Sequence, residues 1–388
     1  MKLDRRLLII LLIQITEVLG FSLILPFLPF YAQEMGATPL TISLIIGSFS
    51  LLQFLSSPIM GRLSDVYGRR PLLIASQIST FLSFVVLAQA RSVGMLFVSR
   101  AIDGALGSNF IIAQAYISDI SSKEDRSKAF GISGAAFGIG FLIGPALGGY
   151  LSKFGFAVPA YLAAGLSLLT IILTVLFLPE TVERGKIKMG KIKIVEIQVF
   201  KKYLSLENTR RGLMIFLTFN LVMMVWQGNF AMYSGKKWGF TARDVGFTLA
   251  YIGLVNVILR GVLLSKLIDK WGERALKRFG LVAIIVGLLC LGLVTSGWMV
   301  AGVMSIYALG SGMARPLLMG DISRSVSEEE QGAVLGVAGG LGSLTQIVGP
   351  VFGGWLLTNF IPESLMVVSM LIMMVGFSLL VIKKNVVE

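Results

Sequence analysis

The chain has 388 residues, of which 55% are hydrophobic and only 14% charged, where soluble domains average about 25% charged. Its 34 basic and 21 acidic residues leave a net charge of +13, with a single cysteine and no histidine. This much apolar sequence cannot be hidden in a soluble globule, which excludes a soluble enzyme, a coiled coil and a disordered chain; lone Cys290 excludes a disulfide framework or thiolate metal cluster, and the usual neutral-pH proton carrier is missing.

Apolar stretches fall at residues 7–32, 40–61, 71–90, 94–118, 127–151, 157–178, 210–234, 243–266, 277–297, 299–320, 332–358 and 364–382. Each is long enough to span a bilayer as a helix, so the fold expected is an all-α integral membrane protein of twelve transmembrane helices. Lys2, Arg5 and Arg6 open the first stretch like a signal peptide, but the run continues to Tyr31 with no small-residue cleavage pattern and reads as the first span. The one long interruption, 179–209, begins Pro179-Glu180-Thr181 and is rich in lysine. It divides the chain into an N-terminal six-helix bundle (1–178) and a C-terminal one (210–388). Within it Ile192, Val195, Val199, Tyr203 and Leu206 recur at helical spacing among Lys191, Lys193, Lys201 and Lys202, which suits either an amphipathic helix on an anionic leaflet or a solvated linker.

The basic residues sort by side. Twenty-six lie in the N-terminus, alternate loops and C-terminus, five in the opposite loops, and Arg100, Arg260 and Arg315 inside apolar segments. The positive-inside rule then places both termini and 179–209 in the cytoplasm and makes the number of spans even.

The halves are duplicated. Gly144-Pro145 and Gly148-Gly149 recur as Gly349-Pro350 and Gly353-Gly354, Asp65, Gly68 and Arg70 as Asp269, Gly272 and Arg274, and Asp119-Ile120-Ser121 as Asp321-Ile322-Ser323. Two copies with an even number of spans enter the membrane in the same direction, the parallel-repeat arrangement of two-bundle transporters that rock about a midplane cavity.

The link between spans two and three reads Gly61-Arg62-Leu63-Ser64-Asp65-Val66-Tyr67-Gly68-Arg69-Arg70-Pro71. Gly61 and Gly68 permit a close turn, Pro71 suits a first helical turn, and Asp65 can face a helix N-terminus. This loop resembles the signature of the major facilitator superfamily. The likeness narrows to its twelve-helix drug/proton antiporters, tetracycline and multidrug efflux proteins included. Gly140, Gly144, Pro145, Gly148 and Gly149 resemble the antiporter motif of span five, Arg100 and Gly104 the fourth-span arginine motif, and Glu17 through Pro29 the first span with its acid; Ala115 to Asp119 with Arg126 continues the likeness. The tetracycline exporters also carry an acid in span three, where this chain runs Ser79 to Phe84.

The resemblance implies a cytoplasmic gate at Gly61, Asp65, Gly68, Arg69, Arg70, Asp119 and Arg126, and a prokaryotic inner-membrane exporter of small amphiphilic compounds in exchange for protons. It implies a monomer among lipids, with no cofactor, metal or nucleic acid and no enzymatic reaction. The residues themselves agree as far as they go. Glu17 and Asp103 are the two acids well inside the membrane, where ionisable groups are costly and functional by default; Asp103 lies one turn after Arg100 and either neutralises it or shares the proton work. The glycines at 140, 144 and 148, like those at 332, 336 and 340, form ladders for close helix contact. Asn220, Met224 and Gln227 share a helix face, as do Asn256 with Arg260 and Met304, Tyr307 and Ser311 with Arg315; such stripes line a substrate cavity or glue helices together. The two arginines leave transport of an organic anion or another small metabolite as the alternative. With Cys290 replaced, a cysteine at Gly190 is expected to resist impermeant thiol reagents in intact cells and one at Lys153 to react; labelling at position 190 from outside overturns the orientation.

Overall fold

A computed structural model describes residues 5–122, 125–182 and 197–382. Among these the regular structure is helical, with no strand. Lipid favours this, because a helix satisfies its backbone groups within one segment, whereas an open sheet edge would strand groups that only water could satisfy. Eleven helical runs among the described residues are long and apolar enough to cross a membrane. One of them, Ala242–Leu293, has 52 residues and would be about 78 Å long if straight, more than twice the hydrocarbon thickness. It breaks at Gly272 (φ 74°, ψ 153°) and holds two spans, so twelve are present.

The chain forms two compact units, Met1–Ile194 with Thr241–Ala250, and Val195–Phe240 with Tyr251–Glu388. In the first unit α1 (Arg5–Ile24) and α2 (Leu28–Glu34) make span one, bent at Pro26; then come α3 (Pro39–Tyr67) and α4 (Arg69–Ala88). The fourth span, expected to be continuous, is divided into α5 (Val93–Leu106) and α6 (Asn109–Ile120). Gly107 N–H bonds the Asp103 carbonyl, and the next amide, Ser108 N–H, leaves the helix for Ser76 Oγ at 2.7 Å. Helices α7 (Arg126–Leu151) and α8 (Ala157–Phe177) complete the set.

Helix α7 lies tightly on α1 through the expected glycines. A Cβ at Gly140 would meet Val18, one at Gly144 would strike Ser22, and one at Gly148 the Leu23 carbonyl; Ser22 Oγ–H donates to the Gly140 carbonyl at 3.0 Å. Gly149 turns the other way, against Ala242 and Gly246, and Gly246 meets the Pro145 carbonyl. That backbone-to-backbone contact is why 241–250 groups with the first unit.

The second unit begins with α9 (Ile197–Ser205), followed by α10 (Glu207–Trp238) and α11 (Ala242–Ile258), which runs through a π-helical turn, Leu259–Leu263, into α12 (Leu264–Leu293). Helices α13 (Val300–Arg324), α14 (Gln331–Asn359) and α15 (Ser364–Val381) close it. The packing of α7 on α1 is repeated here: Gly349 abuts Met224 and Gly353 abuts Asn229 on α10, whose Nδ2 donates to the Pro350 carbonyl at 3.1 Å. The ladder expected at 332, 336 and 340 is corrected. A Cβ at Gly332 or Gly336 would meet nothing within 4 Å, and only Gly340 is in close contact, with the Phe200 ring of α9. Tyr203 of α9 is also buried, so this helix puts apolar side chains on its own unit while Ile197 stays exposed; Ile192, Val195, Lys191 and Lys193 lie outside the described residues. Lys202 bonds Glu330, which raises its pKa above that of an ordinary lysine.

Gly148→Ala is expected to cost about 1–3 kcal/mol, because backbone on α1 must shift to admit the methyl group. Gly165→Ala, inside α8 and facing open space, should gain about 0.5–1 kcal/mol from helix propensity. Thermal melting in detergent separates the two by sign.

Candidate functional site

Glu17 sits on α1 facing α6 and α8. Asn109 Nδ2 donates to its Oε2 at 2.6 Å, and Thr170 Oγ1 stands 2.7 Å from its Oε1. The Asn109 amide also donates to Thr80 Oγ1 at 3.0 Å, and Thr80 passes its hydroxyl hydrogen to Asp103 Oδ1 at 2.9 Å. A single chain of hydrogen bonds therefore joins the two membrane acids through two neutral side chains. In an unbroken helix Asp103 and Asn109, six residues apart, would point about 120° away from each other. The interruption at Gly107–Ser108 lets both reach Thr80.

The acids differ in their company. Asp103 Oδ2 is 3.4 Å from Arg100 Nη1, and both side chains are almost fully buried. Arg100 also donates to Ser83 Oγ at 2.9 Å and Ser99 Oγ at 3.2 Å, and its guanidinium lies 5.9 and 5.7 Å from the ring centres of Phe49 and Phe84, within cation–π range. An acid, two hydroxyls and two rings thus surround this cation, and only its Nε is left without a partner. Glu17 has no cationic partner among the described residues. Its proton accounting closes in either state: Thr170 has one hydroxyl hydrogen and two acceptors in reach, Glu17 Oε1 and the Ser167 carbonyl at 2.8 Å. A protonated Glu17 donates to Thr170 while Thr170 donates to Ser167; an ionised Glu17 takes the Thr170 hydrogen instead. One hydroxyl rotation accommodates loading and release. The sequence reading singled out Glu17, Asp103 and Arg100, which the structure brings together, and missed Thr80, Asn109 and Thr170.

At the loop between α3 and α4, Gly68 adopts φ 108°, and a Cβ there would strike the Glu180 carboxylate. Glu180 accepts the Arg69 and Arg70 amides at 2.8 and 3.2 Å and the Thr181 amide at 2.9 Å. The carboxylate at the N-terminus of α4 is thus Glu180, a residue the sequence reading treated as the start of a linker. Asp65 pairs with Arg69 at 2.6 Å, and Arg69 with Asp119 at 3.0 Å. Arg70 and Arg126 stand apart from this cluster, donating to the carbonyls of Val175 and Ser118. Gly61 makes only an ordinary contact with Ile111. In the second unit Gly272 again has positive φ, Asp321 takes Lys277 and Arg324, and Glu273 bonds Arg324.

The polar stripes of the second unit separate. Asn220 is buried and donates to its own helix at Phe216. Tyr307 is buried against Trp226, with ring centres 4.6 Å apart, and donates to Met223 Sδ. Met224, Gln227 and Asn256 are partly exposed, and Arg260 and Arg315 are exposed.

The sequence model of the Major Facilitator Superfamily matches residues 10–350 of this chain. The chain belongs to the Major Facilitator Superfamily. It is 28% identical over 358 residues to Tetracycline resistance protein, class B, of Escherichia coli, covering 91% of this chain and 89% of that one. It is 27% identical over 350 residues to Multidrug resistance protein 2 of Bacillus subtilis (strain 168), covering 87% and 84%. The crystal structure of the human organic anion transporter MFSD10 (TETRAN) shares its fold, with a TM-score of 0.70 at 22% identity over 97% of this chain and 99% of that one. Membership and twelve apolar spans make this facilitator a multi-pass membrane transporter.

Within it, Asp103→Asn leaves the Arg100 charge buried without its counter-ion, a loss of about 3–5 kcal/mol. A clear drop in melting temperature, exceeding that of Ser83→Ala, is the expected result.

Proposed function

We propose that this transporter exports small amphiphilic compounds in exchange for protons, and that Glu17 carries the proton. The observation that supports this most is the setting of Glu17: two neutral partners, no cation, and hydrogen bonding that is complete with or without a proton. The names of the relatives, tetracycline and multidrug resistance proteins, agree with export. In this reading protonation of Glu17 favours one conformation of a rocker-switch cycle, and substrate displaces the proton or competes with it. Asp103, tied up by Arg100, holds the network in place and feels the state of Glu17 through Thr80 and Asn109. Asp65, Arg69 and Asp119 form the cytoplasmic latch, and the glycines of α7 let it slide closely on α1. Both termini face the cytoplasm of a bacterial inner membrane, and the monomer is the working unit.

Glu17→Gln removes the ionisable group but keeps one oxygen to accept from Asn109 and an amide to donate to Thr170. It is expected to leave the melting temperature at or above that of the parent and to abolish both pH-driven transport and ethidium-induced proton release from purified protein. Undiminished proton release would move the role to Asp103 or end the antiport reading.

A further inference from the structure

Arg260 and Arg315 are the two basic side chains set in the interior of the second unit's spans, and they are treated quite differently from Arg100. Arg100 is buried among an acid, two hydroxyls and two rings. Arg260 and Arg315 are exposed, and neither pairs with a carboxylate among the described residues. The acids of the unit's described residues, Glu207, Asp269, Glu273, Asp321, Glu328, Glu329, Glu330 and Glu363, stand at helix ends and loops. The balancing charge for these arginines is therefore not supplied by the described residues of their own unit.

The two guanidiniums are neighbours. Arg260 Nε donates to the Gly312 carbonyl of α13 at 3.2 Å, and Arg315 follows Gly312 by three residues, on the same helix face. Arg260 lies in the π-helical turn Leu259–Leu263, a feature that re-aims side chains and recurs at functional sites. Its Nε is committed to Gly312, which fixes the plane of the guanidinium and leaves both terminal nitrogens free among the described residues. Arg315 makes no hydrogen bond or ion pair among the described residues. Two like charges held side by side in apolar surroundings are costly, and planar forks with unused donors match the geometry of a carboxylate, sulfonate or phosphate. Arg315 is nine residues from the end of α13, about 14 Å along the axis, which is farther than an arginine side chain extends.

We propose that Arg260 and Arg315 form an anion subsite that takes the carboxylate, sulfonate or phosphate group of an amphiphilic solute. This rests on the export reading and gives its substrates a charge: the preferred compound is an organic anion rather than an organic cation. Asn256, whose Nδ2 is committed to the Ile252 carbonyl, adds no donor, so the two arginines carry the recognition.

The test uses the purified full chain in a neutral detergent, with fluorescein as the anionic probe and ethidium as the cationic one, each followed by fluorescence anisotropy. The parent is expected to bind fluorescein, Arg260→Gln and Arg315→Gln each to weaken that binding tenfold or more, and the double variant to abolish it, with ethidium binding unchanged or tighter. The variants remove exposed charges that pair with no carboxylate among the described residues, so melting temperatures should stay at or above the parent value; fluorescein binding by Arg315→Lys, keeping charge but losing the fork, should fall between parent and Gln. A second arm titrates phosphatidylglycerol into the same samples. Displacement of fluorescein by the lipid, with stabilisation by lipid lost in both Gln variants, assigns the subsite to a lipid headgroup and supports its anion chemistry. Fluorescein and lipid responses that are the same in parent and double variant overturn it. Binding in detergent needs no proton gradient, so a parent protein that releases no proton with either fluorescein or ethidium, while arginine-dependent fluorescein binding is intact, would sink the antiport reading alone.

Discussion

Inside hydrocarbon a polar side chain that finds no partner in the protein finds none at all, and this constraint sorts the polar residues of the spans by how they are satisfied. Most are settled locally: Thr218 bonds the Ile215 carbonyl, Thr345 that of Gly342 and Ser369 that of Leu365, each within its own helix. Arg100 is settled by its neighbours, with an acid, two hydroxyls and two aromatic faces around one cation. Against that background Glu17 is the carboxyl whose partners are neutral and lie on other helices, and Arg260 and Arg315 are cations that pair with no carboxylate among the described residues.

Close helix contact makes the Glu17 network possible. Gly140, Gly144 and Gly148 bring α7 onto α1 by presenting no side chain of their own to Val18, Ser22 and the Leu23 carbonyl, fixing the helix that carries Glu17. On the other side, a Cβ at Gly104 would strike the Phe49 carbonyl and Ser56 donates to the Gly104 carbonyl at 2.9 Å, anchoring α5 to α3 just before the chain breaks at Gly107. The break costs helical hydrogen bonds, and Ser76 and Gln53 replace them at Ser108 N and the Gly107 carbonyl. What the interruption secures is the convergence of Asp103 and Asn109 on one threonine.

Much of this was legible in the sequence, for identifiable reasons. Spans announce themselves by composition over twenty residues, the duplication by glycines and prolines at fixed offsets, and Glu17 by being an acid where acids are costly. Thr80, Asn109 and Thr170 were not legible, because a threonine in a span is ordinary until the rotation of its helix is known. Nor was the break in span four: Gly107-Ser108 has its repeat in Gly310-Ser311, yet α13 runs unbroken from Val300 to Arg324. Gly332 and Gly336 misled for the same reason, since a ladder of glycines has the same spacing whether or not a helix lies against it. Glu180 was passed over because its role depends on α4, more than one hundred residues earlier.

The two copies also show how a duplicated scaffold divides its chemistry. Gly349 and Gly353 reproduce the packing of Gly144 and Gly148 at an offset of 205, and at that offset Glu17 falls on Val222, which is completely buried. The second unit thus keeps the helix contact and discards the acid. It carries instead an aromatic pair, Trp226 and Tyr307, and the exposed arginines of the π turn and α13. Packing residues answer to backbone geometry that both copies share, so they repeat; charged residues answer to what each unit binds, so they diverge. A proton carrier needs neutral partners that tolerate either state, while an anion subsite needs donors left uncommitted, and these demands conflict within one cluster. With the proton carrier and the anion subsite proposed above in different units the conflict does not arise, because an arginine beside Glu17 would hold that carboxylate ionised, and a carboxylate beside Arg260 would occupy the fork proposed for the anion.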